Sequence, residues 1–148
     1  MKGILRAFVM GMALLLTAFW LTGCESRPKI GSVLIIAGGI EYAPLRNWVC
    51  SRENGVMADG MRLQPRMVEG DLPTVPLTQD FEIVIQGEDA SGGLSYALYD
   101  EEFNSLCFSA SQLVPPEEPG LYFVSMEASW AYKDDYERFQ YLFKLKAG

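Results

Sequence analysis

The stretch GLYFVSMEASWAYKDDYERFQYLFKLK, residues 120–146, decides the fold. In its first half Tyr122, Val124, Met126, Ala128 and Trp130 alternate with Phe123, Ser125, Glu127 and Ser129. In its second half Phe139, Tyr141, Phe143 and Leu145 line one face, with Gln140, Lys144 and Lys146 opposite. A period of two sends successive side chains to opposite sides of an extended chain, so both halves read as strands with one buried face. Ala131 to Asp135 is polar enough to turn the chain between them.

Working outward, the same signals repeat. Phe81, Ile83 and Ile85 alternate with Glu82, Val84 and Gln86, and the Gly- and acid-rich segment 87–93 follows as a loop. Leu94, Tyr96 and Leu98 alternate with Ser95, Ala97 and Tyr99 before the turn Asp100-Glu101-Glu102. Phe103 to Ala110 reads as a further strand or a short irregular one, ended by the Pro-rich run 115–120. Near the start of the domain, Ile30 to Ala37 is rich in β-branched residues and meets Gly38-Gly39, a two-residue hairpin signal. Ile40 to Ala43 returns and stops at Pro44, and Leu45 to Arg52 forms a third strand with Arg46, Trp48 and Cys50 on one face. Val56 to Pro76 has weak periodicity, scattered Met57, Met61 and Met67, and repeated Gly and Pro. It reads as a loop-rich excursion with one short strand near Met61 to Leu63, and long loops in small domains are frequent seats of function. No helix of convincing length appears. Short strands separated by Gly/Pro turns predict an all-β fold, a single immunoglobulin-like β-sandwich over residues 30–148.

Before it lies a different kind of segment. Lys2 and Arg6 precede Ala7 to Leu21 (AFVMGMALLLTAFWL), the length of a signal-peptide core and short for a membrane span. Leu21-Thr22-Gly23-Cys24 then resembles the lipobox of bacterial lipoproteins. The resemblance implies that residues 1–23 are a removed leader and that Cys24 becomes a lipidated N-terminus bearing a diacylglyceryl thioether. Two acyl chains meet the requirement for stable anchoring, and the expected location is the extracytoplasmic face of the cell membrane. Residues 24–29 form a short tether, and its five residues Glu25 to Lys29 span at most about 17 Å. The domain is therefore expected to work close to the bilayer.

Glu118-Pro119-Gly120-Leu121-Tyr122 resembles the entry to strand F of immunoglobulin-like domains, where a turn and a glycine precede a corner tyrosine. The antibody family has a cysteine two residues beyond that tyrosine; here it is Val124, so the antibody-type disulfide is absent. Trp48 to Asp59, Leu72 to Ile83 and Pro119 to Tyr122 are also similar to Gram-positive envelope lipoproteins. They resemble an extracytoplasmic segment in some relatives of β-lactam-sensing antirepressor metallopeptidases. Those peptidases use a histidine-based zinc motif on a separate membrane domain, so the resemblance implies fold and placement and not peptidase activity.

Composition excludes more than it selects. The 148 residues carry a formal net charge of −7, and loss of Lys2 and Arg6 with the leader makes the mature chain more negative. That charge repels phosphate backbones, so nucleic acid is not an expected partner. Histidine is absent altogether, which removes the usual base near neutral pH, the commonest nitrogen ligand for zinc, and any Ser–His–Asp or Cys–His arrangement. Acid pairs recur in the turns at Glu88-Asp89, Asp100-Glu101-Glu102, Glu117-Glu118 and Asp134-Asp135. None has the spacing of a calcium loop, so no metal and no cofactor are expected.

Two candidate features remain. Cys50 and Cys107 are left once Cys24 is lipidated, and outside the cytoplasm they form either a disulfide or two buried thiols. On the chain-entropy model a bridge closing so long a loop contributes about 4 kcal/mol. Tyr132, Lys133, Asp134, Asp135 and Tyr136 form a loop tip whose aromatics suit a sugar ring or a protein surface. The expected function is a non-enzymatic binding or accessory module presenting loops to an envelope protein, a peptide or a glycan. The alternatives are a carboxylate-based glycan hydrolase and a purely structural envelope protein.

Overall fold

The computed structural model describes residues 30–87 and 94–148; the leader, Cys24, the tether and the Glu88-Asp89 pair lie outside the described residues. The two segments that decide the fold are its two longest strands, β9 (Gly120–Tyr132) and β10 (Asp135–Ala147). They pair antiparallel along their whole length, from Asp135 opposite Tyr132 to Ala147 opposite Gly120. The turn is tighter than the sequence suggests, with only Lys133 and Asp134 between the two strands and Lys133 at φ 55°.

The remaining strands are β1 (Ser32–Ala37), β2 (Ile40–Tyr42), β3 (Leu45–Glu53), β4 (Val56–Asp59), β5 (Thr74–Pro76), β6 (Glu82–Gln86), β7 (Ser95–Tyr99) and β8 (Ser105–Ala110). A large sheet runs β4-β3-β10-β9-β7-β8, with β5 adding to the end of β10 in parallel. A small sheet runs β2-β1-β6. The fold is an all-β, immunoglobulin-like sandwich, as the alternation predicts. Tyr122 makes the corner: its hydroxyl donates to the Glu118 carbonyl oxygen at 3.0 Å, four residues upstream.

Two clusters fill the space between the sheets. In one, Ile35 and Ala37 of β1 meet Val75, Leu98, Val124, Phe143 and Leu145. In the other, Val33 meets Tyr96, Met126, Ala128, Trp130, Phe139 and Tyr141. Each fully buried large side chain contributes about 1.5–3 kcal/mol relative to exposure. Trp130 packs edge-on against Phe139 and Tyr141, with ring centroids 5.9 and 6.1 Å away. Its other side meets Gly31, where a Cβ would fall 2.3 Å from Trp130 Nε1 and 1.9 Å from the Gln86 carbonyl oxygen. Only glycine lets the chain enter the sandwich there.

Two local expectations change. No strand forms near Met61 to Leu63; the extended pieces of the excursion are β4 and β5, joined by 3₁₀ turns at Pro65–Met67 and Glu69–Asp71. The excursion instead covers the outer face of the large sheet, where Leu72 buries itself with Phe123 and Leu142 and draws in Leu63 and Val68. In β3 the register shifts: Phe139 lies opposite Trp48 but Arg138 lies opposite Cys50, leaving Val49 as an extra residue. Such a bulge reverses the alternation beyond it, so Cys50 does not share the face of Arg46 and Trp48.

That shift decides the cysteines. Cys50 and Cys107 are free thiols, one buried and one half-buried. Cys107 pairs with Leu98 and packs into the core between the sheets. Cys50, opposite Arg138, is on the outer face. Three strands separate β3 from β8, so the pair stands on opposite sides of one sheet, four steps of about 4.8 Å apart. In this structure the two thiols are unbonded.

Candidate functional site

The outer face of the large sheet takes every second residue of three strands: Ser95, Ala97 and Tyr99 from β7, Ser125 and Glu127 from β9, Arg138 and Gln140 from β10. Across it lies a strap, residues 60–66, held by polar contacts that no local pattern announces. Gln140 is 3% exposed. Its Nε2 donates to the Leu63 carbonyl and to Ser125 Oγ, both at 2.9 Å. Its Oε1 accepts the Leu63 N–H at 2.9 Å and Asn47 Nδ2 at 3.3 Å. All the hydrogen-bonding capacity of a buried amide is used, which makes Gln140 a clamp. Asn47 Nδ2 also donates to the Met61 carbonyl at 2.7 Å, and the Gly60 N–H to the Val49 carbonyl at 2.6 Å.

Arg62 completes the attachment. Its Nε and Nη2 reach the two carboxylate oxygens of Glu127 at 2.5 and 3.3 Å. The hydrogen bond and the opposite charge of Glu127 raise the Arg62 pKa further. With side chains 59% and 21% exposed, the pair adds at most about 1 kcal/mol of stability. Its effect is to hold the strap's cation over the sheet.

Between strap and sheet lies a cavity of about 610 Å³, lined by Arg62, Leu63 and Gln64 on one side and by Ser95, Tyr99, Ser125, Glu127 and Arg138 on the other. Phe108 of edge strand β8 forms one wall and is 75% exposed. A second hollow of about 250 Å³ lies beyond the strap, between Pro65, Arg66, Tyr99 and Phe103. Burial raises the Tyr99 pKa, so its phenol stays protonated as a donor. The cavity volume is in the range of small-ligand or short-segment sites. Arg138 donates to Ser129 Oγ at 3.1 Å, leaving the rest of its planar fork for other acceptors.

Ser125 is engaged by the Gln140 amide, which is no base, so this hydroxyl is not activated as a nucleophile. Glu127 is the one carboxylate lining the cavity among the described residues, and it is tied to Arg62. A glycosidase pair needs two carboxyl groups flanking one bond; among the described residues Glu127 alone lines this groove.

The tip Tyr132–Tyr136 sits elsewhere, at the end of the sandwich. Asp135 Oδ1 accepts the Asn54 N–H at 2.8 Å, joining this turn to the β3–β4 turn. The Tyr136 hydroxyl lies 3.7 Å from Met57 Sδ, and Lys133 Nζ stands 5.2 Å above the Tyr132 ring. Both tyrosines are half-buried. Asp100 accepts the Asn104 backbone and side-chain N–H groups at 2.7 and 2.9 Å, which lowers its pKa. Among the described residues no three potential metal ligands gather.

Two features were missed from sequence. Gln140 was legible only as the polar side of an alternation. Asp80 gathers Thr78 Oγ1 at 2.6 Å and the Gly38 and Gly39 N–H groups at 2.8 and 2.9 Å. These hydrogen bonds pull its pKa down to about 2. The Gly-Gly turn was readable, but nothing in it pointed to a carboxylate some forty residues away. Comparison with protein-family models, with curated proteins and with solved structures finds no match to this chain in any of the three.

Proposed function

We propose that the chain is a membrane-anchored extracytoplasmic lipoprotein, lipidated at Cys24, that works as a non-enzymatic binding module. Its partner is an envelope protein, peptide or glycan, taken up in the groove beneath the strap. One observation carries this reading: a cavity of about 610 Å³ whose polar walls are fixed by satisfied hydrogen bonds, with Glu127 its one carboxylate among the described residues. Fixed donors lower the ordering cost of binding. Arg138, the Arg62–Glu127 pair and exposed Phe108 together suit an amphipathic segment bearing a carboxylate or several hydroxyls.

The test is photo-crosslinking on intact cells, from a photoreactive residue at Phe108 and from another at Ile36 on the back of the small sheet. The binding reading expects one defined product from position 108 that position 36 does not give, and its loss in Arg138→Glu. Identical products from both positions, or none from 108, would contradict it.

A further inference from the structure

The place where the chain enters the sandwich fixes which end meets the membrane. Ile30 and Gly31 lead into β1, and Gly31 packs on Trp130 near the end of β9. The same end carries two turns, Asn54–Gly55 and Lys133–Asp134, joined by the Asn54 N–H and Asp135. If Cys24 is the anchor, at most about 17 Å of tether separates it from this end. β9 alone, with 13 residues, is about 43 Å long. The entry end is thus the part of the domain held nearest the bilayer.

Its surface suits that position. Ile30, Val56 and Met57 are 44%, 69% and 53% exposed, and the half-buried Tyr132 and Tyr136 lie beside them. Tyrosines and scattered apolar side chains are the groups favoured at headgroup level. Charge is arranged to match. The far end is crowded with acid, in Asp80, Asp100, Glu101, Glu102, Glu117 and Glu118. At the entry end Arg52 and Lys133 stand against Glu53, Asp134 and Asp135, while Lys144 and Lys146 offset only part of the acid at the far end. An anionic bilayer repels the first end more than the second.

We infer that the end formed by the Asn54–Gly55 and Lys133–Asp134 turns, with Ile30, Val56 and Met57, rests on the phospholipid headgroups. The inference depends on the lipid at Cys24. It makes the groove a lateral one: Glu127 lies five residues from the end of β9, about 17 Å along the strand. The groove is then clear of the headgroups and open to a partner lying along the envelope.

The experiment uses the full lipidated protein, purified from membranes and reconstituted into phosphatidylcholine vesicles with one brominated acyl chain. Val56→Trp and Ile40→Trp place a reporter at each end, and the parent protein supplies the background from Trp48 and Trp130. Val56→Trp is expected to lose most of its added fluorescence to the bromines, and Ile40→Trp none. Flotation is read on the same samples. Protein that floats but shows equal quenching at both positions, or quenching only at position 40, overturns the orientation while the anchor stands. Protein that does not float overturns the anchor and the orientation with it.

Discussion

Gln140 and Leu63 are joined reciprocally: the glutamine amide donates to the Leu63 carbonyl and accepts its N–H, both at 2.9 Å. This one pair turns an irregular segment into the wall of a groove. Gln140→Leu keeps the side-chain volume but strands the Leu63 backbone groups and Ser125. Leaving buried polar groups unpaired costs about 1–3 kcal/mol, and the strap should loosen more than the sandwich. Denaturant unfolding should show a loss in that range, and limited proteolysis should cut near Arg62 and Arg66 in the variant first.

Asp80 predicts an acid-sensitive edge. Its folded pKa of about 2 is below the ordinary carboxylate value of 3.8, so the ionised form is favoured by folding. Its contribution is complete above the unfolded pKa and is lost as pH falls from about 4 through about 2. The difference in Tm between the wild-type protein and Asp80→Ala should therefore be constant near neutrality and shrink across that window. A difference that stays the same at pH 2 would remove the carboxylate from the account.

Tyr141 carries a hydroxyl that is buried and finds no partner among the protein's own atoms, and burial pushes its pKa up to about 12. Tyr141→Phe removes a desolvated polar group without opening a cavity. Stability should be unchanged or rise by about 1 kcal/mol, measured by urea unfolding with an unaltered m-value.

The cysteines give a direct count. Unfolded, non-reduced mature protein should label at both Cys50 and Cys107, and reduction should add no further thiol. A bridge between them would require the outer and inner faces of the large sheet to exchange.

What the sequence disclosed was the part set by neighbours in the chain. The alternation in β9 and β10, the Gly38-Gly39 turn and the Tyr122 corner each depend on residues within a few positions of one another. The strap depends on contacts between residues 65 and 77 positions apart, Arg62 with Glu127 and Leu63 with Gln140. Strict alternation placed Cys50 beside Trp48; one extra residue at Val49 moved it across the sheet. The tip Tyr132–Tyr136 drew attention by its aromatics, and two of its side chains, Asp135 and Tyr136, reach across to the neighbouring turn. The groove gave no local signal, because its lining comes from four strands and a loop.

The central claim is that the strap shapes a binding groove, and the most direct measurement is crosslink yield from position 108 on intact cells in three backgrounds. The account predicts one product in the wild-type protein, its loss in Gln140→Leu, and its retention in Asp80→Ala, which perturbs the fold away from the groove. Equal yield in Gln140→Leu and the wild-type protein would contradict it.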